Sequence, residues 1–467
     1  MTRPLRDGDT LPAVEHLRAA LHWLSEGLLE RDDHARALLL AALSGEHILL
    51  IGPPGTAKSA LARRLHQLVG GHWFERLLTR FTVPEELFGP LSLTALDEGR
   101  YERELAGYLP TADVAFLDEV FKANSAILNS LLGILNERTF DQGASRIAVP
   151  LACLVGASNE LPDDESMRAF QVRFLFRCQV VPVSDAAFRN LLSLEAGPGP
   201  APPWQISRAA LDHIDAQASR VVVSNELLDA LVALRASLLE ASLVVSDRRW
   251  VRAVRVLRVA ALLDRSGEAG LEYLPVLKWL LPESRSQIVA FEQWMLGYLG
   301  VDRRLDPVWL ERAAQAFAQQ LEIEQSAGEL AFDDSGKLAM ARQVGGTDPS
   351  ALSTDAPRLS AFSRARRYSR AHIGARVAQM SALIDRVDSW LADAGEHARA
   401  LQWRLGRVMW IERGIAQAAG DTFAASVAGV RRLRIQLESV RAGFTALPLA
   451  DSDDGQAPEP VNLDEDV

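Results

Sequence analysis

The chain has 467 residues, of which 48% are hydrophobic and 24% charged, with a formal net charge of −11. That length exceeds one ordinary core and predicts two or three domains of globular composition. No run of about 18 apolar residues offers a signal peptide or membrane helix, which leaves the cytoplasm as the expected compartment. Seven of the negative charges lie in the tail "DSDDGQAPEPVNLDEDV", which has no basic residue, so the body carries only −4 and broad nucleic-acid binding is disfavoured.

Residues 14 to 44 repeat apolar positions every three and four residues, which predicts two helices stopped by Gly45. Short apolar runs at 47–51, 113–117 and 151–157 alternate with amphipathic stretches, the pattern of βαβ units around a parallel sheet. The two cysteines, Cys153 and Cys178, sit in apolar strand-like segments. Buried free thiols are favoured there over a disulfide. "AGPGPAPP" at 196–203 marks the domain boundary. Residues 205–300 read as helical, and 324–360 as polar turns with little regular structure. Helical spacing returns over 369–416, and Asp421 is placed as the N-cap of a partner helix after a glycine turn, which predicts a coiled-coil-like hairpin. The last seventeen residues are expected to be disordered, and no internal repeat is visible.

The segment "IGPPGTAKSA" follows the first apolar run and opens a helix. Gly52, Pro53, Pro54, Gly55, Thr56, Ala57, Lys58, Ser59 and Ala60 therefore form a phosphate-binding loop. Small residues let backbone N–H groups face an anion that also meets the positive end of the helix. Lys58 would reach the β- and γ-phosphates of ATP, and the Ser59 hydroxyl would ligate Mg²⁺. Ala57 stands where a glycine ordinarily precedes the lysine and is expected to need a negative φ. Downstream, "ADVAFLDEV" is a strand ending in Asp118, which would hold the metal through water, and Glu119, which would orient or deprotonate the attacking water. "LACLVGASNEL" is a third strand whose Asn159 can bond the attacking water and the γ-phosphate.

These strands, with "LLTRFTVPEELFGPLSL" and "GRYERELAGYLPTADVAFLDEVFKANSAILNSLLGILNERTF", resemble the MoxR group of AAA+ ATPases, specifically its RavA-like branch, most densely over 25–180. The resemblance implies an α/β P-loop module at 1–195 and a helical lid at 204–300, and thins out by about 300; beyond it, apolar spacing and composition predict a mainly helical C-terminal region at 301–445 and an acidic disordered tail at 446–467. The resemblance implies a ring, commonly a hexamer, that hydrolyses ATP to remodel a client protein, often with a von Willebrand factor A domain partner. In "QVRFLFR" it gives Arg173 the arginine-finger role, after Val172 where an acidic residue is usual, with Arg168 and Arg177 as fallbacks. In "SDRRWVRAVRVL" it gives Arg248 the sensor-two role, with Arg249 next. Residues 94–110 correspond to an inserted hairpin facing the pore, so Tyr101 and Tyr108 are candidates for substrate contact, with packing of Tyr108 against the sheet an equal reading. The basic stretch 363–376 is read as a solvated helix face before a site for an acidic partner, the acidic tail or nucleic acid. The competing functions are a nucleic-acid motor, disfavoured by the −2 balance of "DEGRYERE", and a nucleotide-gated scaffold without turnover, disfavoured by Glu119 and Arg173.

Overall fold

The structure is a computed structural model that describes residues 11–161, 167, 170–193, 201–300, 307–330, 363–450 and 457–461. Two compact units are present: Met1–Tyr298 with Leu401–Gln417, and Leu299–Ala400 with Ala418–Val467. The segment 401–417, expected within a C-terminal region of its own, thus clusters with the first unit.

In the first unit, helices α1 (Val14–Ser25) and α2 (Asp32–Leu43) precede strand β1 (Ile48–Ile51) and helix α3 (Lys58–Val69). All four β1 residues are buried. An unbroken apolar run suits a strand covered on both faces. Strands β2 (Trp73–Leu77) and β3 (Val114–Asp118) follow, with the short helices α4 (Pro84–Phe88) and α5 (Leu93–Asp97) between them. Helix α6 (Ser125–Glu137) is capped by the Asn124 side chain, which accepts from the Ile127 N–H at 3.0 Å. It leads into an antiparallel hairpin of β4 (Thr139–Gln142) and β5 (Ser145–Ala148), then into β6 (Cys153–Ser158) and β7 (Phe176–Gln179).

The main sheet runs in the order β2-β3-β6-β1-β7 with every pairing parallel. Its registers match Ile51 with Ser158 and with Gln179, and Leu117 with Gly156. All carboxyl ends therefore emerge on one edge, where open α/β sheets bind ligands. Cys153 and Cys178 are free and buried, and burial pushes both thiols up, Cys153 to about 12. Tyr101 is exposed, whereas Tyr108 packs against the sheet core. The stretch around Tyr101 forms α5 and a loop closed by an antiparallel bridge between Leu91 and Arg103.

Helices Arg208–Ala218, Asn225–Glu240 and Asp247–Leu263 follow, with a 3₁₀ stretch at Leu271–Trp279. Ser207 and Ser224 cap the first two. The segment 401–417 packs on them through Trp410, which is fully buried and donates its indole N–H to the Ala260 carbonyl at 3.1 Å. Buried Lys278 pairs with both Asp33 and Glu412 at 2.8 Å, and Arg36 donates to the Met409 carbonyl. Truncating a buried tryptophan costs about 3–5 kcal/mol. Trp410→Ala is accordingly expected to lower the urea-unfolding free energy of the first unit by about that amount, and a loss below about 1 kcal/mol would contradict this docking.

Asp264 accepts the Met409 N–H at 3.4 Å, and burial pushes its carboxyl up to about 7. The folded chain then holds a proton that the unfolded chain releases near pH 4, so this group's stabilisation declines between about pH 4 and 7 and is gone above. Relative to Asp264→Asn, the wild type should lose melting temperature across that window. Parallel curves would remove the assignment.

In the second unit the helices Pro307–Ser326, Arg370–Arg407 and Arg413–Thr445 supply a core with heptad spacing at Met380, Val387 and Ala394 and at Phe423, Val430, Leu437 and Phe444. The hairpin is present, but its turn lies at 408–412 and Asp421 is inside the second helix. Val408 and Ile411 continue the helical spacing by coincidence, because both are buried as part of the apolar turn. Within the span expected to lack regular structure, Gly328–Leu330 pairs antiparallel with Ser363–Ala365.

The basic stretch at 363–376 is partly internal. Arg376 and His372 bond the buried Glu324 carboxylate at 3.1 and 3.0 Å, and the Tyr368 hydroxyl donates to the Glu324 carbonyl. Burial alone would raise the Glu324 carboxyl, but His372, Gln320 and Arg376 hold it below its ordinary value. Arg376 also donates to the Glu459 carbonyl at 2.8 Å, and Val461 packs on the core, so 457–461 of the tail are ordered against this unit. Residues 451–456 and 462–467 of the tail, and Arg168, lie outside the described residues. Among the described residues no helix is long and apolar enough to cross a membrane.

Candidate nucleotide site

The loop between β1 and α3 and the ends of β3 and β6 enclose a cleft of about 350 Å³, lined by Pro54, Gly55, Thr56, Ala57, Lys58, Ser59, Phe116, Asp118, Glu119 and Asn159. Larger hollows elsewhere in the unit, such as one of about 590 Å³ beside Tyr273 and Trp403, lack this set of loop and strand-end groups. Gly52 is required by close approach, since a Cβ there would lie 1.9 Å from the Val180 carbonyl oxygen. Gly55 has φ +78°.

Ala57 departs from expectation. Its φ is +69°, the left-handed region, where a β-carbon costs about 1–2 kcal/mol. The loop must reverse there to open α3, and the alanine accepts the conformation a glycine would adopt without strain. Lys58 folds back and donates its ammonium to the Gly52 and Pro53 carbonyls at 2.6 and 2.9 Å. Burial lowers its pKa, an effect opposed by Asp118 and Glu119 across the cleft.

At the end of β3, Asp118 accepts the Glu119 N–H at 3.0 Å. Glu119 is itself left-handed, with φ +51°, which turns its carboxylate off the strand line. Its Oε1 accepts a hydrogen bond from the Asn159 side-chain amide, while Oε2 is buried and has no partner among the described residues. A buried carboxylate oxygen without a donor is costly unless something else occupies the cleft. Among the described residues no cluster of three or more His, Cys, Asp or Glu side chains could hold a metal ion. The hydroxyl of Ser59 and the carboxylate of Asp118, both lining the cleft, are oxygen donors of the kind that would hold a Mg²⁺ carried by phosphates.

The structure thus brings together Lys58, Ser59, Asp118, Glu119 and Asn159, and sets the candidate arginines elsewhere. Arg173 lies just before β7, half-buried, outside this cleft, and its Nε has no partner among the described residues. Arg177 is buried and bonds Glu283 at 2.7 Å. Arg249 is buried and donates to the Leu280, Phe174 and Leu175 carbonyls, a structural cross-link. Arg248 is exposed and meets Asn136 at the end of α6, not the cleft.

Two residues escaped sequence reasoning. Phe116 lines the cleft from within β3, where its apolar run reads only as core. Arg31 precedes α2 and donates to the Thr56 carbonyl of the loop at 3.1 Å and to Val181 beyond β7 at 2.7 Å. No local pattern announces an arginine whose partners are 25 and 150 residues away.

Comparison with known proteins shows the family. The model of the MoxR domain in the MoxR-vWA-beta-propeller ternary systems matches residues 15–218, and that of a AAA lid domain matches 226–295. Two uncharacterised proteins of Methanocaldococcus jannaschii are 41% and 40% identical over 257 and 265 residues, covering 55% and 56% of this chain and 67% and 70% of theirs. Chaperone MoxR1 of Mycobacterium tuberculosis is 27% identical over 178 residues, 36% of this chain and 46% of that protein. With a parallel sheet, a phosphate loop at its carboxyl edge and an all-helical lid behind it, the chain belongs to the MoxR family and carries its AAA+ ATPase domain.

Proposed function

We propose that the chain hydrolyses ATP with Mg²⁺ in a ring of its own copies and uses the cycle to remodel or mature a protein complex. The observation that carries this is the unpartnered Glu119 Oε2 in a cleft whose other groups suit a nucleoside triphosphate. Lys58, once released from the Gly52 and Pro53 carbonyls, binds phosphate oxygens, and backbone N–H groups of the loop and the amino end of α3 face the same anion. Ser59 and Asp118 would hold Mg²⁺, which neutralises charge on the phosphates. Asn159 fixes the Glu119 carboxylate through Oε1, so that Oε2 is free to orient a water and accept its proton.

Arg173, being outside its own cleft, suits a role in a neighbouring copy's site, where its charge would offset that developing on the phosphates. Arg248, as the sensor-two candidate, would likewise need a cleft other than its own. The RavA-like branch, a hexamer, a cytoplasmic setting and the unknown client belong to this proposal on the sequence resemblance. A von Willebrand factor A domain partner is supported by the ternary systems to which the matched model refers.

The nucleic-acid motor gains nothing from the geometry. Arg100 pairs with Glu98 and Glu102, and Arg103 with Glu85. The test is a pull-down with full-length Glu119→Gln protein, with and without ATP. ATP-dependent recovery of one protein supports remodelling, and ATP-dependent recovery of nucleic acid instead would replace that reading with the motor.

A further inference from the structure

We propose that Arg31 is a positioning residue of the phosphate loop, holding the Thr56–Ala57 peptide in the orientation that anion binding requires. Arg31 is 3% exposed, and among the described residues its partners are three main-chain carbonyls and no carboxylate: Thr56 at 3.1 Å, Val181 at 2.7 Å and Glu30 at 3.0 Å. A planar guanidinium with fixed donor directions can bridge two such acceptors, which a lysine ammonium on a flexible stem does less well.

The bridge acts at the loop's weakest point. In a trans peptide the C=O and N–H point in opposite directions, so drawing the Thr56 oxygen toward Arg31 turns the Ala57 N–H away from Arg31. Ala57 is the residue strained at φ +69°, in a position where only glycine rests without cost. Without a tether, the peptide could rotate to relieve that strain and lose its aim at the β-phosphate. The second acceptor, Val181, follows Val180, against whose carbonyl Gly52 is seated, so the same guanidinium ties both ends of the loop to one support. The arm bearing Arg31 is itself anchored, since the Glu30 carboxylate accepts the Ser184 N–H at 2.8 Å.

This inference rests on the nucleotide-site reading, and the experiment separates the two. ADP binding to the full chain is measured by calorimetry for wild type, Arg31→Met, Ala57→Gly, the double variant and Lys58→Ala. Losing hydrogen bonds from a charged group predicts that Arg31→Met weakens ADP binding about tenfold or more. In the Ala57→Gly background, where no strain needs holding, the same change is expected to cost only about two- to threefold. Arg31→Lys, which keeps the charge but not the bridge, should bind nearly as weakly as Arg31→Met, and it serves for the cycle if the methionine variant does not fold. Equal losses in both backgrounds, or full rescue by lysine, would overturn the positioning role while leaving the site intact. Unchanged ADP affinity in Lys58→Ala would instead remove the site itself.

Discussion

Lys58→Ala is expected to weaken ATP binding by at least about 100-fold while leaving the fold intact. The ammonium now satisfies only the Gly52 and Pro53 carbonyls, and the buried side chain lines the cleft and is not part of the apolar core cluster, so its removal widens the cleft and opens no cavity in that core. With nucleotide present it would make two charge-assisted bonds to phosphate, each worth about 1.5–3 kcal/mol. At about 1.4 kcal/mol per factor of ten, their loss gives two to four powers of ten in affinity. Calorimetric titration with ATP checks the value, and an affinity within about threefold of wild type would exclude Lys58 as a phosphate ligand.

Glu119→Gln should show the opposite profile, with binding retained and turnover lost. The glutamine oxygen can still accept the Asn159 amide, so the geometry of that pair survives. Its amide nitrogen takes the place of Oε2 and cannot accept a proton from water. General-base contributions of about 10²–10⁴ set the expected fall in kcat. Phosphate release measured at saturating Mg-ATP reads this directly. A turnover within about fivefold of wild type would assign the base elsewhere.

The candidate site was legible in the sequence where chemistry coincides with chain order. Lys58 and Ser59 directly follow a strand and a glycine-bearing turn, and Asp118, Glu119 and Asn159 end apolar runs. The parallel sheet then carries all of them to one edge without further information. What stayed hidden depends on contacts across the fold. Trp73–Leu77 is an edge strand with Glu75 paired to Arg63, so its mixed polarity masked it. The hairpin was visible from its heptads, but the turn was misplaced because Val408 and Ile411, buried in that turn, share the helical period. Ala57 was expected at negative φ because sequence carries residue preference and not the loop's path. For Arg173 and Arg248, the described chain gives positions away from the cleft, and any complementary site would belong to another copy.

Phosphate release from Mg-ATP by the chain, measured per subunit across a wide range of protein concentrations with Glu119→Gln as the blank, tests hydrolysis in an assembled ring most directly. A Mg²⁺-dependent turnover is expected that rises per subunit as copies assemble and vanishes in the variant, since a neighbouring Arg173 would complete each site. No turnover at any concentration, or a turnover that Glu119→Gln leaves unchanged, would contradict this reading.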